Sequence, residues 1–260
     1  MMHITTRNFF RLIRAGAFGQ QEPVEPMSMY KWRQTMLFSQ VHHVEAEAYA
    51  GLEVLSDQFF VQVISDSLRE EWAEMASASR PSTGLRLNSR LEKMLSRVAD
   101  EEHRNTHEYR VLEDMTLLAY AMLTDNQWIR QLLVLGETVR ERGSKADRER
   151  LKQWIAKMHL QKMSYLEGAL LIQLMGLTRE ELPFDPGKSD FNVTRFASAI
   201  PHSQEQMSFS QGKDIFVHTG NKSAVLWNAR RSARFFPYYP LESIANFFSS
   251  FASSLNNIEE

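Results

Sequence analysis

Cysteine is absent from the 260-residue chain. That excludes disulfides, iron–sulfur clusters, zinc–thiolate sites and thiol nucleophiles, and it is compatible with a reducing cytoplasm. Glycine and proline are scarce, at 11 and 8 residues, so collagen-like and low-complexity architectures are excluded. Neither sign of charge dominates: 30 basic residues face 32 acidic ones, a formal charge of −2. The whole-chain electrostatic case for nucleic acid or an anionic membrane is thereby removed. Long apolar runs are missing too. The longest, Leu117 to Leu123, falls far short of the roughly 20 residues that span a bilayer. The apolar stretch from Phe9 to Phe18 is interrupted by Arg11 and Arg14 and lacks the continuous core of an export signal. A cytoplasmic location without membrane attachment is expected.

What remains is 43% hydrophobic and 24% charged, the composition of an ordinary globular protein of one large or two small domains. Helix formers dominate. Thr5 and Thr6 are candidate caps for a first helix bearing Phe9, Phe10, Leu12 and Ile13 on one face and Arg7, Arg11 and Arg14 on another, ended by Gly16 or Gly19. Pro23 and Pro26, among glutamates, stop helix until Ser28 caps a second one, expected to run to about Gly51 with Met29, Trp32, Met36, Leu37 and Val41 as one buried stripe. Asp57 to Ala78 repeats the spacing through Phe59, Phe60, Val63, Ile64, Leu68 and Trp72. A loop follows at Ser79 to Gly84, and Asn88 restarts helix. The densely polar Asp100 to Arg110 implies a break before the apolar face of Val111, Met115, Leu118 and Met122. Trp128 to Leu135 form a further face ending near Gly143, with Ser144 opening the next helix as a capping box with Asp147. Leu151 to Met158 and Tyr165 to Leu174 complete the pattern, closed by Gly176 and the turn from Pro183 to Pro186. Beyond Pro186 the 3.6-residue periodicity fades. Asp214 to Val217 is a candidate short strand, and one strand cannot make a sheet.

The most suggestive metal pattern is Asp100-Glu101-Glu102-His103 with His107 and Glu108, because residues four apart on a helix project to one side. On this reading His103 and His107 share a metal, with His42, His43, Glu45 and Glu47 as ligands from a second helix. The competing reading is a solvated helix of mixed charge, favoured because adjacent His42 and His43 face different directions. Neither a dinucleotide fingerprint nor a phosphate loop nor a nucleophile elbow occurs, and no cofactor is expected. Arg230, Arg231 and Arg234 precede Phe235, Phe236, Tyr238 and Tyr239. They offer a partner-binding patch, set against the alternative that the rings pack in the core while the arginines stay at the surface.

Three segments together resemble a bacterial family of uncharacterised nucleotidyltransferase-like proteins within the polymerase-beta-like superfamily. They are Arg7 to Gly16 with Glu25-Pro26-Met27-Ser28 and Lys31-Trp32-Arg33, then Trp128 to Leu132 leading through Leu151-Lys152-Gln153-Trp154 to Met175-Gly176-Leu177 and Leu182-Pro183-Phe184, and finally Arg230-Arg231 with Arg234-Phe235-Phe236 and Tyr239-Pro240. The resemblance implies, between the first two, an α/β core with a Lys-Gly pair and Gly-Asp-x-Asp holding a divalent metal on nucleotide phosphates. Here no lysine precedes a glycine and no two aspartates flank a single residue. The resemblance therefore implies a relative that keeps the flanking helices and has lost the catalytic core, with no catalytic residue to carry over. Gly143-Ser144 with Asp147 and Glu149 imitates the nucleotide-holding motif, and a helix cap explains those residues as well.

The expected fold is mainly α: a compact multi-helix domain over residues 1–183, of about six to nine helices, and a loop-rich extension over 184–260. The extension's aromatic segment is expected to pack back on the helices, its prolines holding it extended and Phe235, Phe236, Tyr238 and Tyr239 buried. The expected function is non-catalytic binding or scaffolding in the cytoplasm, with a protein partner or a second copy and no nucleic acid. The alternative is a divergent nucleotidyltransferase or a metal-dependent helical-bundle hydrolase.

Overall fold

The computed structural model describes residues 2–78, 85–99, 101–124 and 128–187, and beyond them positions 193, 233, 235–240, 243 and 244. Every regular element among the described residues is helical, so the fold is mainly α. Among the described residues ten α-helices follow in chain order, where six to nine were expected: α1 (Ile4–Phe18), α2 (Met29–Val41), α3 (Glu45–Val54), α4 (Phe59–Gln62), α5 (Asp66–Ala78), α6 (Ser89–Val98), α7 (His107–Thr124), α8 (Trp128–Arg142), α9 (Arg148–Lys157) and α10 (Gln161–Met175).

Two of the expected long helices are broken. The second ends at Val41 because His43 adopts a left-handed backbone, φ 52°, unusual for a residue with a Cβ. The Val44 amide turns back to the Ser39 carbonyl at 2.9 Å, and α3 starts in a new direction. The third splits at Val63 to Ser65, where the amides of Leu68 and Arg69 reach the Ser65 carbonyl. Caps also shift. Ser28 and Asn88 cap α2 and α6 as their sequence positions imply. The α1 cap, however, is His3 and not Thr5 or Thr6, and Asp147 caps α9 with Oδ1 3.0 Å from the Arg150 amide, Ser144 lying in the preceding 3₁₀ turn.

The helices enclose two hydrophobic cores. The larger is built by α6 to α10 with Phe9, Phe10 and Ile13 of α1, and Leu182, Phe184, Val193, Phe235 and Tyr239 belong to it. The smaller gathers Trp32, Met36, Ala48, Leu52, Leu68 and Trp72 around Leu12 and Ala15 of α1. Helix α1 is thus buried on both sides, and its two apolar faces make it the wall between the cores.

Its arginine face is closed by the proline-containing segment that follows. Asn8 exchanges two hydrogen bonds with the Glu25 backbone, its Nδ2 donating to the carbonyl at 2.8 Å and its Oδ1 accepting from the amide at 3.1 Å. Gln58 clasps the same segment from the other side, accepting from the Val24 amide at 2.8 Å and donating to the Glu22 carbonyl at 3.0 Å. Val24, held between these clasps, is buried in the smaller core. The Glu25 carboxylate accepts from Arg7 at 2.5 and 2.7 Å and from Arg11 at 2.6 Å. Arg14, almost fully enclosed, grips Glu22 through two bonds of 2.7 and 2.8 Å and donates to the Leu174 carbonyl of α10.

The Arg7 hydrogen bond, outweighing partial burial, holds the Glu25 carboxyl down to about 2 with help from Arg11. An unfolded Glu titrates near about 4.3, so this strap stabilises the fold fully above that pH and loses its contribution as pH falls through about 2. With 29% of the side chain exposed, solvent screening reduces the effect, and Glu25→Gln is expected to cost about 1–2 kcal/mol at neutral pH. Denaturant titrations of both proteins from pH 7 to pH 2 check this: the difference should shrink across that window, and a pH-independent difference would count against the ion-pair account.

Candidate functional site

The short helix α4 presents apolar side chains to solvent. Periodicity placed Phe59, Phe60 and Val63 in a buried stripe with Ile64, Leu68 and Trp72. The break before α5 rotates them outward, so that Phe59 is 70% exposed, Val63 47% and Phe60 36%, while Val61 turns inward and is fully buried. The two phenyl rings meet edge to face, with centroids 5.4 Å apart. Such a contact fixes both rings. Val54 at the end of α3 is exposed as well.

The surroundings are acidic. Residues 53–74 carry six carboxylates (Glu53, Asp57, Asp66, Glu70, Glu71 and Glu74) against a single arginine. Arg69 spends itself on the Val61 carbonyl at 2.7 Å and on Glu53 at 3.9 Å, and Glu71 is bridged by Arg33 of α2. Asp57, Asp66, Glu70 and Glu74 are exposed and enter no ion pair among the described residues. The result is a rigid pair of phenyl rings with an uncompensated acidic border.

The histidine cluster takes a different shape from the one its spacing suggested. His103 ends a 3₁₀ turn, Glu101–His103, whereas His107 opens α7, so the two do not sit on one continuous helix. The His103 ring stands edge-on to Trp154, centroids 6.2 Å apart. Glu108 is buried and committed: Arg150 donates to one oxygen at 2.7 Å and the Asp147 amide lies 3.4 Å from the other. Burial would push the Glu108 carboxyl up, but hydrogen bonds from its own amide and the Asp147 amide, with Thr106 and Arg150, hold it below its ordinary value. Among the described residues no group of three or more histidine or carboxylate side chains converges as a metal would require. His42 and Glu45 are buried at the junction of α2 and α3, and Glu47 pairs with Arg130 of α8.

Arg230, Arg231 and Arg234 lie outside the described residues. The aromatic segment after them is only half anchored: Phe235 and Tyr239 are buried, but Phe236 is 48% exposed and Tyr238 lies between. Instead of an extended strand the chain makes one helical turn, with the amides of Tyr238 and Tyr239 both 2.9 Å from the Phe235 carbonyl. Residues four apart share a side of such a turn, so Phe235 and Tyr239 go in together and Phe236 faces out. No helix among the described residues is long and apolar enough to cross a membrane.

Sequence reasoning missed the α4 surface because it read one helix through the break. The Ser65-Asp66 pair, a helix-start signal, marks the beginning of α5. No family model, curated protein or solved structure matches this chain.

Proposed function

We propose that the chain is a non-catalytic cytoplasmic binding protein, a core-deleted relative of nucleotidyltransferase-like proteins, whose α4 surface docks a protein segment carrying both cationic and apolar side chains. The observation that carries this reading is the exposed Phe59–Phe60 pair within an acidic border. Aromatic anchors at the centre of an interface supply most of its affinity, and complementary charge at the rim sets partner choice and association rate. A second copy of the chain docking symmetrically through the same patch would bring like carboxylates together, so a basic partner fits better than self-association. The resemblance adds support of its own kind: flanking helices without the core they once packed on would leave apolar surface for a partner. The positions that carry the resemblance in the first segment, Arg7, Arg11, Arg14, Glu25 and Trp32, serve the strap and the smaller core, which is the role of scaffold residues.

Fluorescence anisotropy with a labelled basic amphipathic helical peptide tests it. Saturable binding is expected, weakened at least about tenfold, or about 1.4 kcal/mol, in Phe59→Ser/Phe60→Ser, with little change in melting temperature because both rings are solvent-facing. An acidic peptide of the same hydrophobicity should not bind. Equal binding of both peptides would defeat the proposal, and so would saturable micromolar binding of a nucleoside triphosphate with magnesium in calorimetry, which the divergent nucleotidyltransferase reading requires.

A further inference from the structure

A concavity lies on the larger core, away from α4, between the segment leading into α6 and the first turns of α7. It has a volume of about 360 Å³, and its apolar wall comes from Leu85, Leu87, Leu95 and Leu117. Leu95 is buried in the core, while the other three are partly buried and keep some apolar surface open to solvent. Two arginines, Arg86 and Arg104, line the same space together with Tyr109. Most arginines among the described residues are paired with carboxylates, Arg7, Arg11, Arg14, Arg33, Arg110, Arg130 and Arg150 among them. Arg86 and Arg104 enter no ion pair or hydrogen bond among the described residues. Nor does the Tyr109 hydroxyl, although the ring is fixed edge-on to Trp154 at 6.4 Å.

Two carboxylates belong to the lining, Glu92 and Glu113. Glu113 is already neutralised by Arg110 at 2.8 Å. Glu92, exposed on α6, enters no ion pair with either arginine. Burial raises the Tyr109 phenol, with Glu113 adding to the rise and Arg104 opposing it, so this hydroxyl stays protonated as a donor at neutral pH. The inventory is therefore an apolar wall, two guanidinium forks without an ion-pair or hydrogen-bond partner among the described residues, and one phenolic donor.

We propose that this groove binds a single organic monocarboxylate with an unbranched apolar body, the carboxylate between Arg86 and Arg104 and the tail along Leu87, Leu95 and Leu117. Guanidinium groups bind planar carboxylates in paired hydrogen bonds, which a lone apolar groove cannot offer. Small-ligand sites combine largely apolar walls with a few such polar groups, in volumes from about 300 Å³ upward. At roughly 30 Å³ for each water-sized group, this space accommodates about a dozen non-hydrogen atoms, the size of a medium-chain fatty acid. The proposal is independent of the α4 reading and survives if that surface binds nothing.

Calorimetry on the full chain with decanoate, below its micellar concentration, is the test. One molecule per chain should bind saturably, with decanol at least tenfold weaker and decylamine showing no saturable binding. Arg86→Gln/Arg104→Gln should weaken decanoate at least tenfold while the melting temperature stays that of the parent, since neither arginine supports the fold. Lys157→Gln, an exposed cation on α9, should leave binding unchanged and controls for general charge. Decanoate and decanol binding equally, or the double substitution leaving affinity intact, would overturn the proposal. Sedimentation with vesicles of phosphatidylcholine and phosphatidylglycerol separates a free ligand from a lipid surface. The chain should stay in the supernatant, and co-sedimentation abolished by the double substitution would replace the free carboxylate with a membrane and overturn the assignment too.

Discussion

Gly51→Ala should destabilise the protein by about 2–4 kcal/mol, although alanine is the better helix former. Within a helix, the exchange by itself favours the folded state by about 1 kcal/mol. What opposes it is the crossing of α1 and α3. A Cβ on Gly51 would stand 1.9 Å from the Leu12 carbonyl oxygen, and one on Gly16 would stand 1.9 Å from the Glu47 carbonyl oxygen. Each glycine faces the backbone of the other helix, so no side chain can swing aside and the helices themselves must separate. Separation is costly because Leu12 and Ala15 of α1 share the smaller core with Ala48 and Leu52 of α3; overpacking that side chains can absorb costs about 1–3 kcal/mol, and a clash of backbone with a new methyl group, which they cannot absorb, lies above that range.

The geometry also fixes how two such changes combine. Once α1 and α3 have moved apart to admit one methyl group, the second finds much of its room already made. Gly16→Ala/Gly51→Ala should therefore cost clearly less than the sum of the single changes. Gly19 supplies the contrast: it closes α1 with φ +66° and nothing lies within 4 Å of a Cβ there, so Gly19→Ala should lose only the roughly 1 kcal/mol of a left-handed alanine. Urea denaturation of the four variants measures all of this. Parent-like stability for both Gly16→Ala and Gly51→Ala would show that the two helices do not meet through their backbones.

How far this architecture could be read beforehand depends on the range of the interactions involved. Local signals were legible: Ser28 and Asn88 as caps, Gly176 as a left-handed stop, the break between Asp100 and Arg110, and the alternation of apolar residues on α7. Of the two stops the sequence offers for α1, Gly19 is the left-handed cap and Gly16 lies inside the helix. A glycine inside a helix looks like an end unless the helix it touches is known, and Glu47 lies far away in sequence. The strap showed its charges and prolines, but not that Asn8 and Gln58 would clasp it from opposite sides. At His43 the miss was conformational, since a positive φ is uncommon for any residue with a Cβ and no glycine marks the break here. The α4 surface was hidden because two short helices with a kink between them can share one apolar spacing while facing different ways. Arg86 and Arg104 carried no signal at all, for a groove between a loop and two helix turns has no linear motif.

The largest stabilising change is expected at Glu167, in the middle of α10. Its neighbours in the chain, Leu166, Gly168, Ala169, Leu170 and Leu171, are all buried, and the carboxyl lies among them with 1% of its surface exposed. Neither oxygen has a hydrogen-bond partner among the described residues. Burial in this apolar setting raises its titration well above the ordinary carboxylate range, because an unpaired charge here would be far costlier than a proton. The folded protein thus keeps a proton that the unfolded chain gives up near about pH 4.3. The sign follows: above that pH the unfolded state binds fewer protons than the folded one, so this group makes stability fall as pH rises, until the folded carboxyl itself titrates. Glu167→Met keeps an unbranched side chain of similar length that can settle into the same space. It should gain about 1–3 kcal/mol at pH 7, with the gain small near pH 4 and growing through the neutral range. Glu167→Gln, which keeps polar atoms to bury but cannot ionise, should remove the pH dependence while recovering less of the stability. Paired denaturation curves at pH 4, 5.5, 7 and 8.5 distinguish the possibilities. A Met variant less stable than the parent at every pH would mean that the carboxyl is engaged in the folded protein, and the buried group would then have to be treated as part of a site instead of as a cost carried by the core.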